Sequence, residues 1–292
     1  MPIELLIATV INGLIAGTMY AIFAGGLTLI WGTMKMLNFA HGAFFMVGGY
    51  VLYMLYQANH LNPVLAIAVA LLVVYLISLL VERAVIRPLL NKATWPLTTI
   101  IATLGVMIFL QNGALNIWGA DYKSLDYFVD GIVRVMGVRV SYQRLLIFLV
   151  SIVTLGVMWY LLKYTRFGMA LRATAQDPDA AKLYGINVLR VYSQTYALSA
   201  VLGGIAAVMM APIVSVNPLM GVGPLLKGFV VVILGGLGSF AGAIVGGLLL
   251  GVLEAIGSLY TSAEWGDVIS YAILIFIIWA KPWGLLGIEE RN

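Results

Sequence analysis

Residues 63–81, PVLAIAVALLVVYLISLLV, decide the fold class, because this run of nineteen residues contains no charged side chain. An α-helix needs about 20 apolar residues to cross the hydrocarbon core of a bilayer. The run is apolar on all sides rather than along one stripe, which is typical of a helix whose neighbours are lipid and other helices. It predicts a transmembrane helix.

The composition of the whole chain agrees with this segment. Of 292 residues, 62% are hydrophobic and only 10% are charged, whereas a soluble domain has about 25% charged residues. Cysteine is absent, which excludes disulfides, thiolate metal sites and cysteine nucleophiles. The net charge of +4 is typical of basic cytoplasmic loops and does not indicate nucleic-acid binding. We therefore expect an all-α, polytopic transmembrane helical bundle.

Apolar segments recur along the chain and predict about eight to ten spans. The best count is nine, with segments at 5–31, 37–57, 63–81, 97–118, 144–162, 191–212, 223–238, 240–258 and 268–282. The segment 223–238 is short, and we expect it either to span the membrane or to re-enter it. No stretch resembles a soluble domain, so residues 1–292 are interpreted as a single transmembrane domain.

Basic residues in two connections set the predicted orientation. The 82–94 connection contains Arg83, Arg87 and Lys92, and the 163–190 connection contains five more Lys and Arg residues. Cytoplasmic loops are enriched in these residues, so both connections are predicted to be cytoplasmic. Counting spans from them places the N-terminus and the 119–143 loop outside and the C-terminus in the cytoplasm.

Two apolar segments are interrupted, near 36–50 by Asn38-Phe39-Ala40-His41-Gly42 and within 223–258 by Gly235-Gly236-Leu237-Gly238-Ser239. Paired interruptions in the two halves of a transporter indicate its substrate path. A helix N-terminus inside the membrane would also suit a carboxylate substrate. The candidates for a translocation path or gate are Asn38, His41, Gly42, Gly235, Gly236, Gly238, Ser239 and Glu254.

Each of these candidates also has a simpler interpretation. Asn38 can be only an N-cap, and His41 only an interhelical hydrogen-bond partner. The glycines can serve only to let helices pack closely. Glu254 can be a residue that reaches the interface from a helix end, or a partner in a gating ion pair.

The 163–190 connection is predicted to contain a short amphipathic helix over 177–187. Asp177-Pro178-Asp179 is typical of a helix start, and Gly185 is typical of a helix end. Leu183 and Tyr184 on such a helix need a partner surface. The connection is therefore interpreted as a cytoplasmic docking element.

The sequence offers little for an enzyme. It has two histidines, with no spacing that suggests a metal site, and it has no Gly-Lys dipeptide, so a phosphate-binding P-loop is absent. We expect no cofactor in this chain, and any ATP to be bound by another subunit. Apart from Glu254, carboxylates inside the predicted spans are scarce, which argues against a stand-alone secondary carrier.

Three motifs resemble those of LivH-type permeases of branched-chain amino acid ABC importers. The first is Leu27-Thr28-Leu29-Ile30-Trp31-Gly32 followed by Leu37-Asn38-Phe39-Ala40-His41-Gly42. The second is Arg172-Ala173-Thr174-Ala175-Gln176-Asp177-Pro178 with Ala180-Ala181 and Gly185-Ile186-Asn187. The third runs from Phe229 to Ser239. Matches to the family are spread from residue 12 to beyond residue 251, so the resemblance covers nearly the whole chain.

The resemblance implies a permease domain over 1–292 with a coupling loop over 163–190, in the bacterial inner membrane. It implies a complex with a second homologous permease, two cytoplasmic ATPases and a periplasmic binding protein that delivers the amino acid. By position, the residues of the family's coupling motif and its flanks are Asp179, Ala180, Ala181, Leu183, Tyr184 and Gly185. Asp179 replaces the family's Glu, and Leu198 stands where the motif's Pro is expected, which leaves the boundaries of the coupling helix open.

The substrate is not determined by these residues. Branched-chain amino acids are expected from the resemblance, as is the inward direction of transport. Urea, short amides or other amino acids are alternatives within the same class of permease, and a stand-alone carrier is an alternative from another class.

Overall fold

The computed structural model describes residues 3–90, 95–135, 137–262 and 265–287. Its helices are α1 (Ile3–Met34), α2 (Ala40–Leu52), α3 (Pro63–Val81), α4 (Trp95–Trp118), α5 (Tyr142–Tyr164), α6 (Arg166–Gln176), α7 (Pro178–Leu183), α8 (Val188–Met210), α9 (Val222–Gly235), α10 (Phe240–Tyr260) and α11 (Trp265–Ala280). π-Helical turns follow α2 at Tyr53–Ala58 and α3 at Glu82–Ile86, and a 3₁₀ turn spans Arg87–Leu89. The only strands in the described part form a hairpin, β1 (Ile132–Val135) with β2 (Val138–Ser141).

Six helices are long and apolar enough to cross a membrane, at 4–34, 63–89, 97–118, 142–164, 188–210 and 240–260. The helices α9 and α11 are apolar but shorter. The expected all-α, polytopic membrane protein is therefore confirmed. The count of nine spans and the orientation of the termini stay predictions, and Lys92 lies outside the described residues.

Local signals in the sequence explain several helix boundaries. Pro63 is in the first turn of α3, where its missing N–H is not needed, and Asn62 caps the helix by accepting a hydrogen bond from the Val64 N–H at 2.9 Å. At the end of α1, Lys35 adopts a left-handed conformation with φ of 51°, which stops the helix. The predicted interruptions are present, since 35–39 separate α1 from α2 and 236–239 separate α9 from α10.

The helices group into two compact units. The α2 unit consists of Leu29–Asp126 and Val157–Leu225, and the α10 unit consists of Met1–Thr28, Tyr127–Gly156 and Leu226–Asn292. The predicted permease domain (1–292) and its coupling loop (163–190) are defined by function and not by these two units. Both therefore stay predictions.

In the α2 unit, α2 lies at the centre and packs against α3, α4 and α8. Every residue of α2 except Val51 is buried, and α8 is also mostly buried. By contrast, most residues of α3 and α4 are not buried, as expected for helices that face lipid. Because α2 and α8 are buried against each other, polar side chains on their shared surface are candidates for a functional site.

In the α10 unit, glycines allow close packing of α1 against α10. A Cβ on Gly13 would lie 2.8 Å from the Gly251 carbonyl oxygen, and a Cβ on Gly17 would lie 2.8 Å from that of Gly247. Gly13 and Gly17 are four residues apart on α1, and Gly247 and Gly251 are four residues apart on α10. This is the small-residue spacing of membrane helix interfaces. These glycines are thus explained by packing.

Candidate functional site

The break between α1 and α2 presents a buried polar side chain at the start of α2. The Asn38 Oδ1 atom accepts a hydrogen bond from the Ala40 N–H at 3.1 Å, and the Phe39 N–H donates to Thr103 Oγ1 of α4 at 3.2 Å. Phe39, directly before α2, already has helical backbone angles (φ of −72°, ψ of −25°), and its side chain makes no capping hydrogen bond. Asn38 therefore provides the capping hydrogen bond at this helix start, as the cap interpretation predicted.

Two polar side chains of α8 meet this break. The Tyr196 hydroxyl donates to Asn38 Oδ1 at 3.3 Å, and the Ser199 hydroxyl lies 3.3 Å from His41 Nδ1. All four side chains are at most 1% exposed. We call Asn38, His41, Tyr196 and Ser199 the polar core of the α2 unit.

One donor in the polar core is left over. Within the described part of the chain, the buried Asn38 Nδ2 has no hydrogen-bond partner. A buried donor without a partner destabilises a structure by about 1–3 kcal/mol. A hydrogen bond from Asn38 Nδ2 to water or to a solute oxygen would therefore stabilise this site.

Glycines allow close contacts around the polar core. A Cβ on Gly42 would lie 2.7 Å from the Gly221 carbonyl oxygen, and a Cβ on Gly203 would lie 3.1 Å from His41 Cε1. Glycine at these positions lets α2 approach both the segment before α9 and α8. Of the predicted path residues, Asn38, His41 and Gly42 are thus brought together, while Tyr196 and Ser199 were not predicted because they lie about 160 residues away in sequence.

A charged cluster lies in the α10 unit. Lys227 Nζ of α9 lies 2.5 Å from Glu254 Oε1 of α10 and 3.0 Å from Asp267 Oδ1 of α11. It also donates to the Tyr20 hydroxyl of α1 at 3.3 Å. The Lys227 and Glu254 side chains are only 16% and 15% exposed, whereas that of Asp267 is 63% exposed. Glu254 is therefore a partner in a largely buried ion pair, and Lys227 and Tyr20 were not predicted from the sequence.

The glycine-rich turn 235–239 connects α9 to α10 in the α10 unit. Gly236 and Gly238 have φ of 106° and 84°, a region that favours glycine, and Gly235 contacts the backbone of Gly242. Ser239 caps α10 by accepting from the Gly242 N–H at 3.0 Å. This geometry accounts for these four residues by turn formation and packing, and a role for them in a gate stays a prediction.

The predicted docking helix is present as α7. Asp177 caps it by accepting from the N–H groups of Asp179 and Ala180, at 2.9 and 3.0 Å. At the other end Gly185, with φ of 80°, donates to the Lys182 carbonyl, and the Ile186 N–H donates to the Ala181 carbonyl, which together form a Schellman motif. The helix is thus fixed at both ends.

The side chains of α7 separate into a buried and an exposed set. Ala181 is 3% exposed, whereas Leu183 and Tyr184 are 89% and 88% exposed. Lys182 forms an exposed ion pair with Asp179 at 2.8 Å, and that hydrogen bond raises the pKa of Lys182. Beside α7 lies an open groove of about 460 Å³, which is lined by Leu90, Pro178, Lys182, Ile186, Asn187, Val188, Leu189 and Tyr192.

A second buried charge lies at the base of α8. Glu82 is fully buried, and its carboxylate accepts from Arg87 at 3.1 Å and from the Ser193 hydroxyl at 3.0 Å. Arg87 was predicted to lie in a cytoplasmic connection, whereas its partner Glu82 was not predicted. The ion pair lies within the turns that follow α3, and the hydrogen bonds of the Ser193 hydroxyl with Glu82 and Arg87 join these turns to α8.

The sequence of this chain is similar to those of known proteins. The profile of the family described as "Branched-chain amino acid transport system / permease component" matches residues 9–278. The high-affinity branched-chain amino acid transport system permease protein LivH of Escherichia coli (strain K12) is 33% identical over 293 residues, which cover 96% of this chain and 94% of LivH.

Two further relatives also match over 96% of this chain. The high-affinity branched-chain amino acid transport system permease protein BraD of Pseudomonas aeruginosa is 33% identical, over 96% of this chain and 95% of BraD. The probable branched-chain amino acid transport permease protein LivH of Methanocaldococcus jannaschii is 28% identical, over 96% of this chain and 92% of its own.

Proposed function

This chain belongs to the family of permease components of branched-chain amino acid transport systems, and on that premise we propose that it is the membrane-spanning permease subunit of an ABC importer for leucine, isoleucine and valine. A periplasmic binding protein delivers the amino acid, and two cytoplasmic ATPases supply the energy. A second homologous permease completes the pathway in the bacterial inner membrane. This chain itself needs no cofactor in that arrangement.

The observation that carries the ATP-driven part of the proposal is α7. It is a short helix fixed by caps at both ends, and it exposes Leu183 and Tyr184 almost completely. Exposed large apolar side chains on a rigid element are typical of a protein-binding surface. In the proposal, Leu183 and Tyr184 dock on the ATPase, while Asp179, Ala180, Ala181 and Gly185 build the helix that presents them.

The chain offers a direct connection from α7 to the polar core. Helix α8 begins at Val188, only a few residues after α7 ends, and it carries both Tyr196 and Ser199. Movement of α7 on ATP binding would therefore shift α8 against α2. The hydrogen bonds from Tyr196 to Asn38 and between Ser199 and His41 would then break or reform with each transport cycle.

The polar core is proposed as part of the translocation path in its closed state. Once α8 moves away from α2, Asn38 Nδ2 can donate to the carboxylate of the amino acid or to water, which would relieve its unpaired state. His41 and Gly42 line the same break. Gly235, Gly236, Gly238, Ser239 and Glu254 are proposed as elements of a gate in the α10 unit.

The first test is purification of the tagged chain from native membranes in mild detergent. We expect an ATPase and a second permease to co-purify and to be identified by mass spectrometry. Recovery of a stable chain without an ATPase across several mild detergents would contradict the proposal and would favour a stand-alone carrier.

The second test addresses the substrate. The purified complex is reconstituted in liposomes with ATP inside and the cognate binding protein with labelled solute outside. We expect accumulation of leucine, isoleucine and valine that requires both ATP and the binding protein. Accumulation of urea or a short amide, with none of leucine, would keep the ABC permease and reject the amino acid as its substrate.

A further inference from the structure

A basic and aromatic surface lies where α5 ends and α6 begins, in the α2 unit. Trp159, Tyr160 and Tyr164 of α5 are 42%, 61% and 63% exposed, and Met169 of α6 is 54% exposed. Lys163 and Arg166 lie between them and are also exposed. We call these six residues the interfacial patch.

The positive charge of the interfacial patch is not neutralised by the protein. The sequence contains no Asp or Glu from 131 to 176, and in the described part of the chain no carboxylate forms an ion pair with Lys163 or Arg166. Arg166 also lies in the first turn of α6, which has no acidic residue. A cation in the first turn is unfavourable for a helix, so helix stability does not explain Arg166.

The geometry of the interfacial patch is fixed. Thr165 joins the two helices, since its hydroxyl donates to the Leu161 carbonyl at 2.6 Å and accepts from the Gly168 N–H at 3.2 Å. Arg172 reaches back from α6 and donates to the Leu162 carbonyl. These contacts hold the start of α6 close to the end of α5.

The aromatic rings and the Lys163 ammonium are also in contact. Lys163 Nζ lies 5.7 Å from the centre of the Trp159 ring and 5.4 Å from the centre of the Tyr164 ring. Trp and Tyr are typical of the membrane–water interface, where one side of the ring meets acyl chains and the polar edge meets headgroups. If these rings lie at the interface, Lys163 beside them would be within reach of the lipid phosphates.

From these observations we propose that the interfacial patch binds the headgroup phosphate of an acidic phospholipid. Lys163 and Arg166 contact the phosphate, while the aromatic rings and Met169 contact the acyl chains next to it. The inference rests on the proposed function in one respect, because that function places 163–190 on the cytoplasmic side. Since α6 leads directly into α7 through Asp177, the bound lipid would anchor the docking helix to the membrane.

The test uses the purified full-length chain with phosphatidylglycerol as the probe, and native mass spectrometry counts the bound lipid. The test variant is Lys163→Gln/Arg166→Gln. The matched control is Arg134→Gln/Arg139→Gln, which removes two exposed charges from the β1–β2 hairpin. A third variant, Lys163→Arg/Arg166→Lys, keeps the charge and reports on folding.

We expect the wild type, the hairpin variant and the charge-keeping variant to bind phosphatidylglycerol with similar affinity, and phosphatidylcholine far more weakly. Each basic residue near a membrane surface changes affinity about fivefold, so the test variant should bind phosphatidylglycerol roughly 25-fold more weakly. Inorganic phosphate should not compete. Equal lipid binding by all four proteins would overturn the proposal, as would competition by free phosphate or equal affinity for phosphatidylcholine.

The same variants separate this inference from the proposed function. Loss of the ATPase from the test variant, with phosphatidylglycerol still bound, would show that the interfacial patch is a protein-docking surface and would reject the lipid site. Lipid binding by a chain that recruits no ATPase would support the lipid site while it contradicts the proposed function.

Discussion

At the scale of single residues, Lys227 contacts three polar side chains of the α10 unit, those of Glu254, Asp267 and Tyr20. The variant Lys227→Met leaves Glu254 and Asp267 without their cation, and loss of one partner from a buried ion pair costs about 3–5 kcal/mol. We expect a clearly lower Tm for the purified chain in detergent, while Lys227→Arg should stay close to wild type. The double variant Lys227→Met/Glu254→Met should recover most of the loss. A double variant as unstable as Lys227→Met alone would contradict the coupling between the two residues.

The sequence predicted one half of this ion pair. Glu254 was identified because a carboxylate in an apolar segment is unusual. Lys227 was missed although it lies in the segment 223–238, since its partners Glu254 and Tyr20 are 27 and 207 residues away. Only the packing of four helices brings these groups together. A basic residue within an apolar segment was the signal that could have identified it.

At the scale of elements, the contact between α2 and the segment before α9 depends on glycine. In Gly42→Ala the new methyl group would meet the Gly221 carbonyl oxygen and the Leu225 Cβ, at 2.7 and 3.3 Å. Two backbones must separate, and overpacking of this kind costs about 1–3 kcal/mol. We expect a lower Tm and slower uptake by the reconstituted complex.

The matched control for Gly42 is Gly113→Ala in α4. A Cβ on Gly113 meets no atom within 4 Å, and alanine is the better helix former by about 1 kcal/mol. The control should therefore be neutral or slightly stabilised. Equal effects of the two substitutions on Tm and on uptake would contradict the predicted steric conflict at Gly42.

A second element-scale prediction concerns α7. The double variant Leu183→Glu/Tyr184→Glu should reduce co-purification of the ATPase at least about tenfold, because burial of each of these side chains contributes about 1.5–3 kcal/mol to binding. The Tm of the chain alone should not change, since both side chains are almost fully exposed. Lys182→Gln is the control, because an exposed ion pair contributes little. Normal ATPase recovery with the double variant would reject α7 as the docking helix.

How well the sequence predicted an element depended on whether local signals determine it. The bounds of α3 were predicted exactly, and α7 was predicted from its Asp-Pro start and its glycine end, because caps and apolar runs are local. Helix α6 and the β1–β2 hairpin were not predicted. The hairpin depends on a turn at Gly137, with φ of 86°, and α6 depends on the corner that Thr165 and Arg172 hold against α5.

At the scale of the whole molecule, low charge and long apolar runs were enough to predict a polytopic membrane protein. They were not enough to predict how helices that are distant in sequence meet, because apolar helices give few directional signals. The polar core is an example, since Asn38 and His41 were predicted and their partners on α8 were not. The orientation of the chain depends on a count of spans, and it can be measured directly.

The sequence contains no cysteine, so each introduced cysteine is the only thiol of this sequence. This makes the measurement simple. Leu183→Cys and Tyr122→Cys replace side chains that are 89% and 75% exposed, and Ala43→Cys is a buried control. The chain is expressed without the ATPase, so that Leu183 is not covered. With a membrane-impermeant maleimide, we expect Tyr122→Cys to react in intact spheroplasts and Leu183→Cys only in inverted vesicles, because basic connections remain in the cytoplasm. Reaction of both from the same side would contradict the predicted parity, and with it the cytoplasmic position of α7.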